Sequence, residues 1–285
     1  MRSYAEMQAL ILAKAQADER IRAVLLNGSR ANDSLAPDPF QDYDLVFIVT
    51  EIASFTQDHG WTDYFGQKVL WQLPDTMAFG TIENKLSFTY LMVFSDGNRL
   101  DLSLYPQEHM ATFRPESLTK VWLDKDGTFD HLLPSSDRDH RVLRPSQKLF
   151  ADISNEFWWV APYVAKALQR GEIIHAKEIM EGPLRAMFLR MLEIRIGTET
   201  DFRATVGKGG RFLRTYLSAP EYEEVLLTYP NYEREQILGA MDRMMTLFAT
   251  NARRVGEHLY LEYNVEEEAR AREYYQWLLA QEGPF

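Results

Sequence analysis

Apolar residues recur at steps of three and four in some stretches of the chain and run together or alternate in others, and that contrast organises it. Near the start, Met7, Leu10, Ile11 and Lys14 share helical spacing, with Asp18 and Glu19 closing the segment, so a helix is predicted up to about Ala17. Ile21 to Leu26 is rich in β-branched and aliphatic residues and stops at Asn27-Gly28-Ser29, the profile of a buried strand ending in a tight turn. Pro37-Asp38-Pro39 predicts a loop, and Tyr43 to Val49, apolar except at Asp44, predicts a central strand. Two more strand-like runs, Phe88–Phe94 and Arg99–Tyr105, flank Ser95-Asp96-Gly97-Asn98, and Asp-Gly between such runs predicts a hairpin.

Residues 106–145 mix turn formers with short apolar clusters and have no clear period, which predicts a junction between domains. From Ser146 the period becomes helical. Phe150, Ile153, Phe157, Val160, Val164 and Leu168 form one face of a long helix ending before Gly171, with a bend predicted at Pro162. Leu184, Phe188, Met191 or Leu192, and Ile196 form a second face, and further helices are predicted at roughly 208–218, 220–228, 231–262 and 265–281. The layout is an α+β protein: a strand-bearing N-terminal domain over residues 1–140 and an all-helical C-terminal domain over 141–285.

Composition narrows the function. Among 285 residues, Asp and Glu outnumber Lys and Arg by 42 to 31, a net charge of −11, which argues against a general duplex-DNA binder needing a basic stripe. Cysteine is absent, so thiolate zinc sites, disulfides and Cys nucleophiles are excluded. The six histidines show no H-x3-H or H-E-x-x-H spacing, and no G-x-S-x-G occurs. No apolar run approaches the roughly 18–20 residues of a membrane span, and the first residues lack a signal-peptide core, so a cytoplasmic protein is expected.

The residues that carry chemistry are acids. Asp42 and Asp44 lie one residue apart at the start of a predicted strand, so both point to one face. Asp101 is a lone acid in Arg99-Leu100-Asp101-Leu102-Ser103-Leu104, where the leucines take the other face. Like charges on one buried face repel unless a cation compensates them. If the two strands are neighbours, three carboxylates converge, a set of hard oxygen ligands suited to Mg²⁺ completed by water and phosphates. Gly28-Ser29-Arg30 after the first strand can bring backbone N–H groups and a hydroxyl to a phosphate.

The order of these features, Gly28-Ser29, a 12-residue gap, Asp42-X-Asp44, then Asp101, resembles the nucleotidyltransferase superfamily of DNA polymerase β type. A closer resemblance is to the aminoglycoside 6-adenylyltransferases, the streptomycin adenylyltransferases. It is carried by Asp18-Glu19-Arg20-Ile21-Arg22, Asn27-Gly28-Ser29-Arg30-Ala31-Asn32, Phe40-Gln41-Asp42-Tyr43-Asp44 and Asp96-Gly97-Asn98-Arg99-Leu100-Asp101-Leu102. In the second half it rests on Asn155-Glu156-Phe157-Trp158-Trp159, Tyr163-Val164-Ala165-Lys166, and Thr200-Asp201-Phe202 with Gly207-Lys208. The resemblance implies a nucleotidyltransferase domain with a mixed β-sheet flanked by helices, joined to a helical bundle. It also implies transfer of AMP from ATP to a drug hydroxyl, with pyrophosphate leaving. Asp42 and Asp44 would hold two Mg²⁺ ions, Asp101 would share one or act as general base, and Gly28, Ser29 and Arg30 would hold the triphosphate.

In the helical half, Asn155, Trp159, Pro162 and Lys166 form a stripe rotated away from the core face. Lys166 is a candidate for the nucleotide phosphates, and so is Lys208 in Gly207-Lys208-Gly209-Gly210-Arg211, which is not a Walker motif. Asn155, Glu156, Trp159 and Glu83 are candidates for the acceptor, with Glu83 and Glu156 also weighed as general base. Trp61, Trp158, Trp159 and Tyr163 could stack on a sugar or on adenine, but aromatics at helical spacing are read as core more than as stacking residues. The expected partners are a cationic aminoglycoside and ATP, with no nucleic acid or membrane, on a monomer or weak homodimer. The alternatives are a nucleotidyltransferase for another acceptor, a small hydroxyl compound or a protein, and a non-catalytic ATP-binding regulator of the same fold.

Overall fold

In the computed structural model, which describes residues 1–79 and 85–282, a reciprocal cap starts helix α1 (Tyr4–Ala17). The Ser3 side chain accepts from the Glu6 N–H while the Ser3 N–H donates to the Glu6 carboxylate at 2.7 Å. Met7, Ile11 and Ala15 are the buried stripe of α1. At its far end, Asp18 accepts a forked pair of bonds from Arg20 (2.9 and 2.7 Å), which holds its carboxyl down at about 2.

The strands β1 (Ile21–Asn27), β2 (Tyr43–Val49), β3 (Lys68–Gln72), β4 (Phe88–Phe94), β5 (Arg99–Pro106) and β6 (Thr119–Asp124) form one mixed sheet in the order β3-β4-β5-β2-β1-β6. The β2–β5 pair is parallel and every other pair antiparallel. Tyr43, Leu45 and Phe47 pack with Leu100, Leu102, Leu104 and α1 in the larger core. Ala23, Leu25 and Ile48 pack with Phe129 in a smaller core built from the residues that alternate with these. A short helix α2 (Ala53–Thr56) follows β2. The predicted hairpin is present, with Gly97 in the left-handed region at φ +85°. Arg2 pins it by forking onto Asp96, and Asn98 donates to the Arg2 carbonyl at 3.2 Å.

Two strands escape the hydrophobic pattern, and the reason is physical. β3 is a sheet edge on which Val69, Leu70 and Trp71 are all exposed, so no alternation marks it. β6 is the opposite edge, six residues paired to β1 alone within the turn-rich stretch 106–145, so that stretch completes the sheet and is more than a junction.

By its contacts the chain separates into two units, Met1–Asp139 and His140–Phe285. The second is helical: α3 (Gln147–Gln169), α4 (Ile173–Ile179), α5 (Arg185–Glu199), α6 (Leu213–Tyr216), α7 (Ala219–Leu226), α8 (Arg234–Leu259) and α9 (Val265–Leu279). α3 continues through Pro162 without interruption, and its Phe157 ring stacks on Phe248 of α8 at 3.8 Å. The helix expected over 208–218 is instead a tight turn at Lys208–Gly210 followed by the single turn α6, because Gly207, Gly209 and Gly210 all have positive φ. Among the described residues, no helix is long and apolar enough to cross a membrane.

Candidate active site

The parallel register of β2 and β5 sets Asp44 directly beside Asp101. Antiparallel pairing continues the row, with Asn27 of β1 opposite Asp44 and Thr119 of β6 opposite Asn27, whose side-chain oxygen accepts from the Thr119 hydroxyl at 2.8 Å. The two acids therefore lie in one line across neighbouring strands, on the face opposite the leucines of β5. Asp42 precedes β2 and is partly exposed; its Oδ2 lies 3.7 Å from Arg99 Nε.

The turn after β1 closes on this row. Gly28, at φ +70°, opens a 3₁₀ turn over Gly28–Ala31, and its N–H donates to the Leu118 carbonyl at 3.2 Å. A Cβ on Gly28 would lie 2.4 Å from Asp44 Oδ2. Glycine is thus required twice, for the left-handed backbone and for the close approach of the turn to a carboxylate. Ser29 is half-buried in the same turn, and its hydroxyl has no hydrogen-bond partner within the chain among the described residues. Arg30 points the other way: Nε and Nη2 donate to the Gln41 carbonyl at 3.2 and 2.7 Å, Nε also reaches the Asp42 carbonyl at 3.0 Å, and the guanidinium lies 4.0 Å over the Tyr43 ring. It ties the turn to the segment that carries Asp42.

The electrostatics follow from this crowding. Burial pushes the Asp44 carboxyl up to about 6, and Asp101 and Asp42 push the same way against the pull of Arg99. Burial also raises Asp42, opposed by Arg99 and reinforced by Asp101. Arg99 is the residue that sequence reasoning missed. It sits two positions before Asp101 on the same strand face, and its Nε and Nη2 fork onto the two Asp101 oxygens at 2.8 and 2.7 Å. Its signal in the sequence was that period-2 relation to an acid, which an ordinary surface arginine shares. Glu116 is a further acid that sequence reasoning passed over; its charge also raises Asp44.

The donor set fits a hard divalent cation. Asp44 is a half-buried carboxylate with no hydrogen-bond donor from the described residues, and a guanidinium already stands among the acids as compensating positive charge. Among the described residues, no three His, Asp or Glu side chains are grouped so as to hold an ion unaided. Asp44 stands beside Asp101, and Asp42 shares their surroundings through Arg99 and through the charge it places on Asp44, without the three closing a cage of ligands. Such an open arrangement is what Mg²⁺ uses where one or two carboxylates and substrate phosphates share its coordination sphere.

The remaining predicted residues lie on the helical unit, except Glu83, which falls outside the described residues. Asn155, Trp159 and Lys166 of α3 line a groove of about 370 Å³ against α9, with Tyr163, Glu267 and Tyr274. The Asn155 amide donates to Glu267, and Lys166 Nζ lies 5.2 and 5.4 Å from the Tyr163 and Tyr274 ring centres. Glu156 is exposed on α3 and does not line the groove. Lys208 is exposed in its glycine turn. Trp158 is core, donating from Nε1 to the Tyr263 hydroxyl at 2.9 Å, and Trp61 packs against Phe55, Phe65 and Tyr90. Trp159 and Tyr163, in contrast, are exposed rather than core, Trp159 at 65%, because both lie on the face of α3 turned away from its buried stripe.

Comparison with known proteins gives the following. The model of a family described as streptomycin adenylyltransferase matches residues 1–278. An aminoglycoside 6-adenylyltransferase of Bacillus subtilis (strain 168) is 36% identical over 265 residues, 92% of this chain and 93% of that protein. One from Campylobacter jejuni is 36% identical over 270 residues, 94% and 93% of the two chains. A crystal structure of an aminoglycoside 6-adenyltransferase from Bacillus subtilis aligns over 99% of this chain and 100% of its own, at 31% identity and a TM-score of 0.49.

Two outcomes are expected. Gly28→Ala meets both a positive φ and the Asp44 oxygen, so denaturant unfolding should show a loss of about 2 kcal/mol; an unchanged midpoint would contradict this geometry. The second concerns Asp44, whose folded pKa lies above its unfolded value. The folded chain holds the extra proton between about pH 4 and 6, so stability falls as pH rises through that window. Asp44→Asn should therefore exceed the native chain by on the order of 1 kcal/mol at pH 8, after discounting for solvent screening, and match it near pH 4. Unfolding curves at the two pH values decide it, and a native chain equally stable at pH 8 would be the contrary result.

Proposed function

We propose, on the premise that the chain belongs to the streptomycin adenylyltransferase family, that it moves AMP from ATP to a hydroxyl of a streptomycin-like aminoglycoside, releasing pyrophosphate and inactivating the drug. It is an adenylyltransferase by that membership. The observation that carries the finer reading is the adjacency of Asp44 and Asp101, with Asp42 one step before the strand and the Gly28-Ser29 turn closing on Asp44.

Each side chain takes a role from its place. Asp42 and Asp44, with Asp101, hold two Mg²⁺ ions, which when bound neutralise phosphate charge and polarise the reacting phosphoryl group. Ser29, whose hydroxyl has no partner among the described residues, and the neighbouring N–H groups receive the triphosphate, while Arg30 braces the turn. The acceptor oxygen forms a bond to the α-phosphorus, its proton passes to a carboxylate oxygen of Asp101, and the bond from that phosphorus to the pyrophosphate oxygen breaks. No protein nucleophile is needed, since positioning and charge neutralisation lower the barrier in such transfers. Lys166 and Lys208 supply positive charge to the nucleotide phosphates. Trp159 offers an exposed ring, and Asn155 and Glu156 polar groups, to the acceptor; Glu83 is kept in the same role. A net charge of −11 favours a polycationic acceptor over a polyanionic one.

Incubation with ATP, Mg²⁺ and streptomycin should release pyrophosphate and add one AMP to the drug by mass spectrometry. Asp44→Asn should slow release by roughly a thousandfold, the scale of losing a main electrostatic contact to the transition state. Release with another aminoglycoside but not with streptomycin would overturn the choice of drug, and no release with any aminoglycoside would overturn the reaction.

A further inference from the structure

The fork of Arg99 onto Asp101 stands where a metal-binding carboxylate is needed. Both Asp101 oxygens accept from the guanidinium, at 2.8 and 2.7 Å, and the same Nε lies 3.7 Å from Asp42 Oδ2. The fork occupies one lone-pair direction on each Asp101 oxygen, and its positive charge stands beside them, so an ion bound there competes with the guanidinium for the carboxylate. It is able to turn: the Arg99 side chain is 43% exposed at the start of β5, and its hydrogen bonds among the described residues go to Asp101 alone. Two non-bridging oxygens of a phosphate accept a guanidinium fork as the two oxygens of a carboxylate do, and a triphosphate carries more charge.

We propose that Arg99 is a built-in competitor for the metal at Asp101, displaced when nucleotide phosphates give its guanidinium another partner. Metal binding and nucleotide binding are then coupled through one side chain, and by linkage each strengthens the other. The chain without nucleotide holds metal weakly, and the metal site assembles only with ATP present. This inference rests on the proposed role of Asp42, Asp44 and Asp101 as metal ligands. It assigns Arg99 a positioning role, acting on the reaction through Asp101.

The test is direct titration of the full chain with Mn²⁺, following the signal of free Mn²⁺ by electron paramagnetic resonance, with and without α,β-methylene-ATP. Without nucleotide, Arg99→Gln should bind Mn²⁺ about tenfold more tightly than the native chain, the size expected for removing a partly exposed bidentate charge pair. Arg99→Lys keeps the charge but cannot fork, and should fall between the two. The gain in Mn²⁺ affinity on adding the nucleotide analogue should shrink in Arg99→Gln. Thermal melts check that both variants fold, and should one fail, the other still decides. If Asp44→Asn abolishes binding but Arg99→Gln leaves it unchanged, the competition is wrong and the metal site stands. If Arg99→Gln binds tighter while Arg99→Lys equals the native chain, long-range charge and not the fork is responsible, which also overturns it. If no chain binds Mn²⁺ even with the analogue, the metal-ligand role falls, and the inference with it.

Discussion

The constraint on which the rest depends is the parallel pairing of β2 with β5. Among the described residues it is the sheet's one parallel pair, and it sets two carboxylates beside each other on a half-buried face. Such a pair is unfavourable by itself, because burial and mutual repulsion both penalise its ionised form. The surrounding residues respond to that penalty. Arg99 supplies positive charge, Gly28 leaves room for the Asp44 oxygen, and Arg30 holds the turn to the backbone around Asp42. The fold accepts an electrostatic cost at one end of a sheet whose opposite face is filled by Tyr43, Leu45, Leu100 and Leu102.

That division between the faces explains how the site is positioned. The alternation along β5 buries its leucines and leaves Asp101 on the other side, so the acid's direction follows from packing. The hairpin before it is pinned from outside by Arg2 on Asp96, whose carboxyl is held well below the usual carboxylate range by that guanidinium. A chain of local contacts therefore runs from the N-terminus through the hairpin to the register of β5, and so to the position of Asp101 against Asp44.

Much of this was legible in the sequence where burial leaves a period. The strand bearing Asp44 stands out by its nearly unbroken apolar run and the strand bearing Asp101 by its alternation, and the long helices α3 and α8 do so by steps of three and four. β3 and β6 did not, since an edge strand with an exposed face keeps no alternation. The short turn at Lys208 looks helical in the sequence because glycines do not reveal the sign of φ. For the site, order and spacing mark the acids and Gly28 but not Arg99, whose place two positions before an acid is one that an ordinary surface arginine shares; the side-chain geometry alone shows the fork onto Asp101. The stripe on α3 was readable as a polar face, but its partner across the groove, Tyr274 of α9, lies more than a hundred positions away and shares no pattern with it.

The most direct measurement of whether these acids form a metal centre is anomalous diffraction from crystals grown with Mn²⁺ and α,β-methylene-ATP. Manganese peaks are expected at about 2.1 Å from carboxylate oxygens of Asp42 and Asp44, one of them shared with Asp101 and all touching the phosphates. With the nucleotide clearly bound, an absence of peaks there, or peaks on other side chains, would contradict it.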